Sequence, residues 1–145
     1  SWKINHVNFN KLLDVLELDK SAVMFVVFRN SDNVNMYLNS FYNYSKYADR
    51  IIIDYSYSTY ELMSFCDLMI TGSTSSSLFE GTLNSRLSIA PLNVRGIKKN
   101  IFNRYKDILV FDNASELYSY LKKAKNKGYD LKNLRLNNDS ISKLL

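Results

Sequence analysis

The residues best suited to chemistry run Asp67-Leu68-Met69-Ile70-Thr71-Gly72-Ser73-Thr74-Ser75-Ser76-Ser77-Leu78-Phe79-Glu80. An apolar run ends in a glycine and five consecutive hydroxyl residues, and a helix-like pattern follows. A strand, a small polar loop and a helix N-terminus, in that order, make a seat for a phosphate. The first N–H groups of a helix lack internal partners, and the helix dipole adds partial positive charge there. Gly72 would let the backbone approach a pyrophosphate, and Ser73, Thr74, Ser75 and Ser76 would add hydroxyl donors. The same residue types also make an ordinary turn and N-cap. One serine suffices for a cap, and five hydroxyls in a row exceed that need. Glu80 stands three residues after Ser77, the spacing of a capping box.

Two arginines stand where they could join such a seat. Arg29 follows the apolar run Ala22–Phe28, and Arg95 follows the run that ends at Pro91. A guanidinium at a strand end can hold a phosphate through two parallel hydrogen bonds. Other chemistries fail on inventory. His6 is the only histidine and Cys66 the only cysteine, so a histidine- or cysteine-based metal site, a Ser-His-Asp triad and an intrachain disulfide are not supported. Neither a P-loop nor a Gly-x-Gly-x-x-Gly motif is present.

The elements that must position these residues alternate in type. Asn10 to Leu18 reads as a helix, with Leu12, Leu13, Leu16 and Leu18 spaced for one face. Ala22 to Phe28 reads as a strand buried on both sides. Val34 to Ala48 reads as a helix and Ile51 to Ile53 as a short strand ending at Asp54. Ser58-x-x-Glu61 caps a helix through Phe65, and Cys66 is expected in the core. Leu68 to Thr71 is the next strand, followed by the helix capped at Ser77. Leu87 to Ala90 is a strand stopped by Pro91. Ile97 to Tyr105 reads as a weak helix and Ile108 to Phe111 as a strand. Asn113-x-x-Glu116 caps a helix with Leu117, Leu121 and Ala124 aligned, ending at Gly128.

This alternation predicts an α/β domain: a Rossmann-like, doubly wound parallel sheet of about five strands with helices on both faces. Such sheets bind ligands beyond the carboxyl ends of their strands. The expected organisation is one domain over 1–129 and a C-terminal tail or short helix over 130–145. The 145 residues carry a formal charge of +5, which favours anionic partners: nucleotides, anionic lipids or nucleic acid. No RRM, KH or helix-turn-helix signature supports nucleic acid. No window of 18 uninterrupted apolar residues and no signal peptide are visible, so a cytoplasmic chain is expected. The opening Ser-Trp-Lys, without Met, reads as a fragment.

With the strands placed, one segment has a specific likeness. Glu61-Leu62-Met63-x-x-x-Asp67-Leu68-x-Ile70-Thr71-Gly72-Ser73-Thr74-Ser75, then Glu80, Gly81 and Pro91, resembles the nucleotide-binding C-terminal domain of GT-B glycosyltransferases. The likeness is nearest the branch that makes bacterial surface polymers, including CDP-glycerol glycerophosphotransferases and capsule transferases. It covers about Phe9 to Leu121, mostly as pattern. Ser1-Trp2-Lys3 is similar to the remnant of a Thr-Trp-Arg-like motif of that branch. Arg29-Asn30-Ser31 stands where the branch usually has a His-Pro pair, and Thr71-Gly72-Ser73-Thr74-Ser75 replaces its Asp-Tyr-Ser-Ser loop.

The resemblance implies a donor-binding domain of an enzyme of surface polysaccharide synthesis. Its substrate would be a nucleotide-activated sugar or polyol linked to UDP or CDP, with no further cofactor and no metal. Glu80 matches the acidic residue that commonly bonds ribose or sugar hydroxyls. Asp54 and Tyr55 match positions near the nucleoside base. The catalytic base would come from an N-terminal GT-B domain that this chain lacks, so the chain alone would turn nothing over. The departures leave two alternatives: a non-catalytic GT-B-like module that binds a partner or the inner face of a membrane, and half of a nucleotide-sugar 2-epimerase.

Overall fold

The computed structural model describes residues 10–27, 44–53, 58–70, 87–91 and 108–134. Residues 10–13 are α-helical and tighten into a 3-10 turn over Asp14–Glu17; together they form α1. The 3-10 geometry has a three-residue repeat, so side chains at i and i+3 eclipse. The sequence obeys that repeat with three different edges. Lys11, Asp14 and Glu17 form a polar edge, with Lys11 and Asp14 paired at 3.5 Å. Leu12, Val15 and Leu18 form one apolar edge, and Leu13 and Leu16 another.

These two apolar edges enter different cores. Leu12, Val15 and Leu18 pack with Leu109, Phe111, Leu117, Tyr120, Leu121 and Ala124. Leu13 and Leu16 pack with Tyr47 and Ile51, flanked by Ala22, Met24, Val26 and Ile53. The four leucines expected on one face are thus divided between two cores.

The strands are short and their pairing is parallel. Strand β1 (Met24–Phe25) pairs with β2 (Ile51–Ile52) in the register Met24 to Ile51 and Phe25 to Ile52. The Val26 N–H also donates to the Ile52 carbonyl at 3.0 Å. Strands β3 (Leu68–Ile70), β4 (Leu87–Pro91) and β5 (Ile108–Phe111) form a second group in that order. Ile70 stands beside Ile89, and Pro91 beside Phe111. Pro91 therefore closes β4 rather than following it.

The helices start and stop for local reasons. Helix α2 (Tyr44–Tyr47) runs into a 3-10 turn, Ala48–Arg50. Helix α3 (Thr59–Phe65) opens on a full capping box. The Glu61 N–H donates to Ser58 Oγ at 3.2 Å, and the Ser58 N–H donates to the Glu61 carboxylate at 2.6 Å. Helix α4 (Ala114–Asn126) is capped by Asn113, whose side chain accepts from the Glu116 N–H at 2.9 Å. The Glu116 carboxylate accepts from the Asp112 N–H at 3.1 Å, one residue before the cap. Gly128 ends the helix at φ 93°, in the left-handed region that glycine enters without steric cost. The Tyr129 N–H reaches the Ala124 carbonyl and the Gly128 N–H the Lys125 carbonyl, closing a Schellman motif.

Two readings of burial are corrected. Along 22–27 exposure alternates, and Val23, Phe25 and Val27 face outward, so this segment is half-buried instead of buried on both sides. Cys66 stands at the C-terminal cap of α3, half-buried, with Sγ 3.7 Å from the Met63 carbonyl. Helix α3 ends at Phe65, so Cys66 stands just past its last helical residue. After α4, Leu131 and Leu134 flank a 3-10 turn (Leu131–Asn133) and are both buried in the α4 core. Among the described residues no helix is long and apolar enough to cross a membrane.

Candidate functional site

Strand β3 carries the opening of the hydroxyl-rich segment as far as Ile70. Thr71 follows Ile70, the last described residue of β3, directly in sequence. Strand β4 ends at Pro91, four residues before Arg95. Because β3, β4 and β5 are parallel, these carboxyl ends lie on one edge. Parallel neighbours stand about 4.8 Å apart, and Pro91 lies two residues past Ile89, the partner of Ile70, so the two strand ends are about 8 Å apart. Gly72, Ser73, Thr74, Ser75, Ser76, Glu80, Arg29 and Arg95 all lie outside the described residues, as do Asp54 and Tyr55.

Behind that edge the packing is firm. Leu68 and Ile70 of β3 lie against the same core as Leu109 and Phe111 of β5 and the buried stripe of α4. Ile108, one residue out of phase with Leu109, is buried as well. Successive strand residues face opposite ways, so β5 is covered on both faces. Leu62 and Met63 of α3 are buried outside both named cores.

No family model matches this chain, and no curated protein or solved structure is found to match it.

One group of ionisable side chains gathers where α1, α2 and α4 meet. The Tyr47 hydroxyl donates to Asp14 Oδ1 at 3.2 Å, and the Lys46 ammonium pairs with the Glu17 carboxylate. Lys11 sits 4.2 Å from the centre of the Tyr118 ring. The hydrogen bond from Lys46 holds the Glu17 carboxyl below its usual range, and Glu17 in turn holds the Lys46 ammonium above its own. Burial pushes the Tyr47 phenol up, and the neighbouring carboxylates add to this. A phenol whose ionisation is pushed up in this way is a poor general base and a poor nucleophile. The cluster ties three helices together. Sequence reasoning did not single it out, although the Lys11, Asp14, Glu17 spacing was there to be read.

Two other polar features sit within the packing. Arg50 donates to the carbonyl oxygens of Asp19 at 3.0 Å and Ala22 at 3.4 Å, locking the turn between α1 and β1. The Tyr120 hydroxyl is buried in the α4 core with no hydrogen-bond partner, and burial pushes its pKa up to about 12. Among the described residues, no three His, Cys, Asp or Glu side chains stand together as a metal site.

Proposed function

We propose that this chain is a donor-binding domain of a glycosyltransferase-like enzyme of surface polysaccharide synthesis. On this reading β1–β2 and β3–β5 belong to one Rossmann-like sheet, and the segment Gly72–Ser76 cradles the diphosphate of a UDP- or CDP-linked sugar or polyol. One observation carries the reading. The strand that precedes the hydroxyl-rich segment in sequence has a parallel neighbour, so the carboxyl ends of both strands lie on one edge of the sheet. Open parallel sheets take their ligands there. The GT-B resemblance of Glu61 to Pro91 adds to it.

The chemistry asked of this half is modest. It positions the donor and stabilises the leaving diphosphate with backbone N–H groups, hydroxyls and the Arg29 and Arg95 guanidinium groups. Glu80 would hold a ribose or sugar hydroxyl. The acceptor and the base belong to the N-terminal half, so binding without turnover is the expected behaviour of this chain.

Calorimetric titration with CDP and UDP tests the proposal. Saturable binding of at least one is expected, weakened about tenfold or more when Ser73, Thr74 and Ser75 are replaced together by Ala, Val and Ala, since charge-assisted hydrogen bonds contribute about 1.5–3 kcal/mol each. No binding at millimolar nucleotide, or equal binding by the triple variant, would remove the donor site from consideration.

A further inference from the structure

The solvent face of α4 carries a charge pattern that neither the fold nor the donor site uses. Lys122, Lys123 and Lys125 are exposed, the first two on the side away from the buried stripe of Leu117, Tyr120, Leu121 and Ala124 and the third at its flank. Lys127 at the helix end and Lys132 just beyond it are exposed too. No acidic residue falls between Glu116 and Asp130. Neither of the two ion pairs among the described residues involves any of these lysines. Asp19 is the acidic side chain that feels Lys125 and Lys132, and its carboxylate is already engaged by the Ser21 hydroxyl and N–H.

Lysines in the last turn of a helix offset its dipole, and one or two suffice for that. Five cations within eleven residues exceed the partial charge of a helix end several-fold. The composition also narrows the partner. All five are lysines and none is arginine, so the face offers no planar fork for bidentate phosphate recognition. Among the described residues the rings nearest these lysines, Tyr118 and Tyr129, are half-buried against the α4 core, which leaves little open face for base stacking. What remains is a broad field of point charges on a rigid helix. That suits a flat, densely anionic surface without discrete contacts.

We propose that the lysine face of α4 docks the chain on an anionic lipid surface. The attraction is electrostatic and without insertion, since the apolar face of α4 is committed to the core. Clusters of this size on an amphipathic helix are sufficient for such binding, and each lysine near an anionic bilayer multiplies the partition by about fivefold. The proposal uses none of the donor-site residues, so nucleotide binding and vesicle binding stand or fall separately.

The test is co-sedimentation of the 145-residue chain with phosphatidylcholine vesicles, with and without about one third phosphatidylglycerol. Binding to the anionic vesicles alone is expected, with loss as salt rises from about 0.05 to about 0.5 M. Replacing Lys122, Lys123, Lys125 and Lys127 together with Gln should lower the partition by several hundredfold, about fivefold for each of the four lysines. Circular dichroism and the urea midpoint check that this variant stays folded, and all four side chains are exposed. Equal binding to neutral vesicles, undiminished binding by the folded variant, or no binding at low salt would each overturn the proposal. Tighter binding to a single-stranded oligonucleotide than to anionic vesicles would also overturn it and reassign the face to nucleic acid.

Discussion

Leu12 and Leu13 are neighbours in the chain and belong to different cores. Leu12 packs with the α4 stripe and β5, and Leu13 packs with Tyr47 and Ile51 beside β1 and β2. A single turn of helix thus holds the two strand groups in relation to each other. Leu12 and Leu13 sit about 100° apart on the α-helical turn, and the 3-10 turn that follows carries Val15 and Leu16 on toward the same two cores.

This division has a measurable consequence. Leu13 and Leu117 are both fully buried, in separate cores. Leu13→Ala and Leu117→Ala should each cost about 2–5 kcal/mol, and the double variant should match their sum within about 0.5 kcal/mol. Leu12→Ala combined with Leu117→Ala shares one core and should depart from additivity. Urea midpoints at constant slope read both cycles. Equal coupling in the two would mean that α1 does not separate two cores.

The orphan hydroxyl of Tyr120 gives a second prediction. A buried donor without a partner costs about 1–3 kcal/mol, so Tyr120→Phe should raise stability by about that amount. The substitution keeps the ring against Phe111, whose centroid lies 5.3 Å away. It should also change the alkaline limb. The folded phenol pKa lies near 12 and the ordinary value is 10.0, so the unfolded chain ionises first. The stabilisation is whole below pH about 10 and disappears as pH climbs toward 12. Tyr120→Phe should flatten that loss. A decrease in stability at neutral pH would mean that the hydroxyl has a partner after all.

Caps are the third place where the chain can be tested one residue at a time. Ser58→Ala removes the acceptor for the Glu61 N–H, and Asn113→Ala the acceptor for the Glu116 N–H. Each should cost about 1 kcal/mol, while Asn113→Asp should be close to neutral because aspartate caps equally well. Thermal unfolding of the three variants is sufficient to see the order.

Those caps also explain how far the sequence could be read. Helices α3 and α4 stand where Ser58-x-x-Glu61 and Asn113-x-x-Glu116 put them, because a cap is satisfied within three residues of itself. The segment around β1 was misread because burial is not local. An apolar run states what its residues are and not which side has a neighbour, and Val23 and Val27 remain 50% and 54% exposed. The leucines of α1 divide between two cores because Leu12 and Leu13, adjacent in sequence, point in different directions and each direction meets a different strand group. For the candidate site, the described structure reaches Ile70 and Pro91 and supplies the parallel edge from which the predicted residues depart.

Acid should weaken the fold through a small number of carboxylates, and the turn after α1 separates two kinds. Asp19 is held below its ordinary pKa of 3.8 by hydrogen bonds from the Ser21 hydroxyl at 2.6 Å and the Ser21 N–H at 2.9 Å. Glu17 is held below its ordinary 4.5 mainly by the exposed Lys46. A depressed folded pKa means that the unfolded chain takes up the proton first. The stabilisation is present above the ordinary carboxylate range and is lost as pH falls through the lowered folded value. Salt tells the two apart, because it screens the exposed Glu17–Lys46 pair and leaves short hydrogen bonds largely intact. Asp19→Asn keeps an acceptor oxygen while deleting the charge, so it should reduce the acid slope at both low and high salt. Lys46→Gln should reduce it only at low salt. Urea unfolding between pH about 2 and 6 at two ionic strengths measures both slopes. An Asp19→Asn profile that overlays the parent at high salt would mean that the Ser21 hydrogen bonds hold no charge in place.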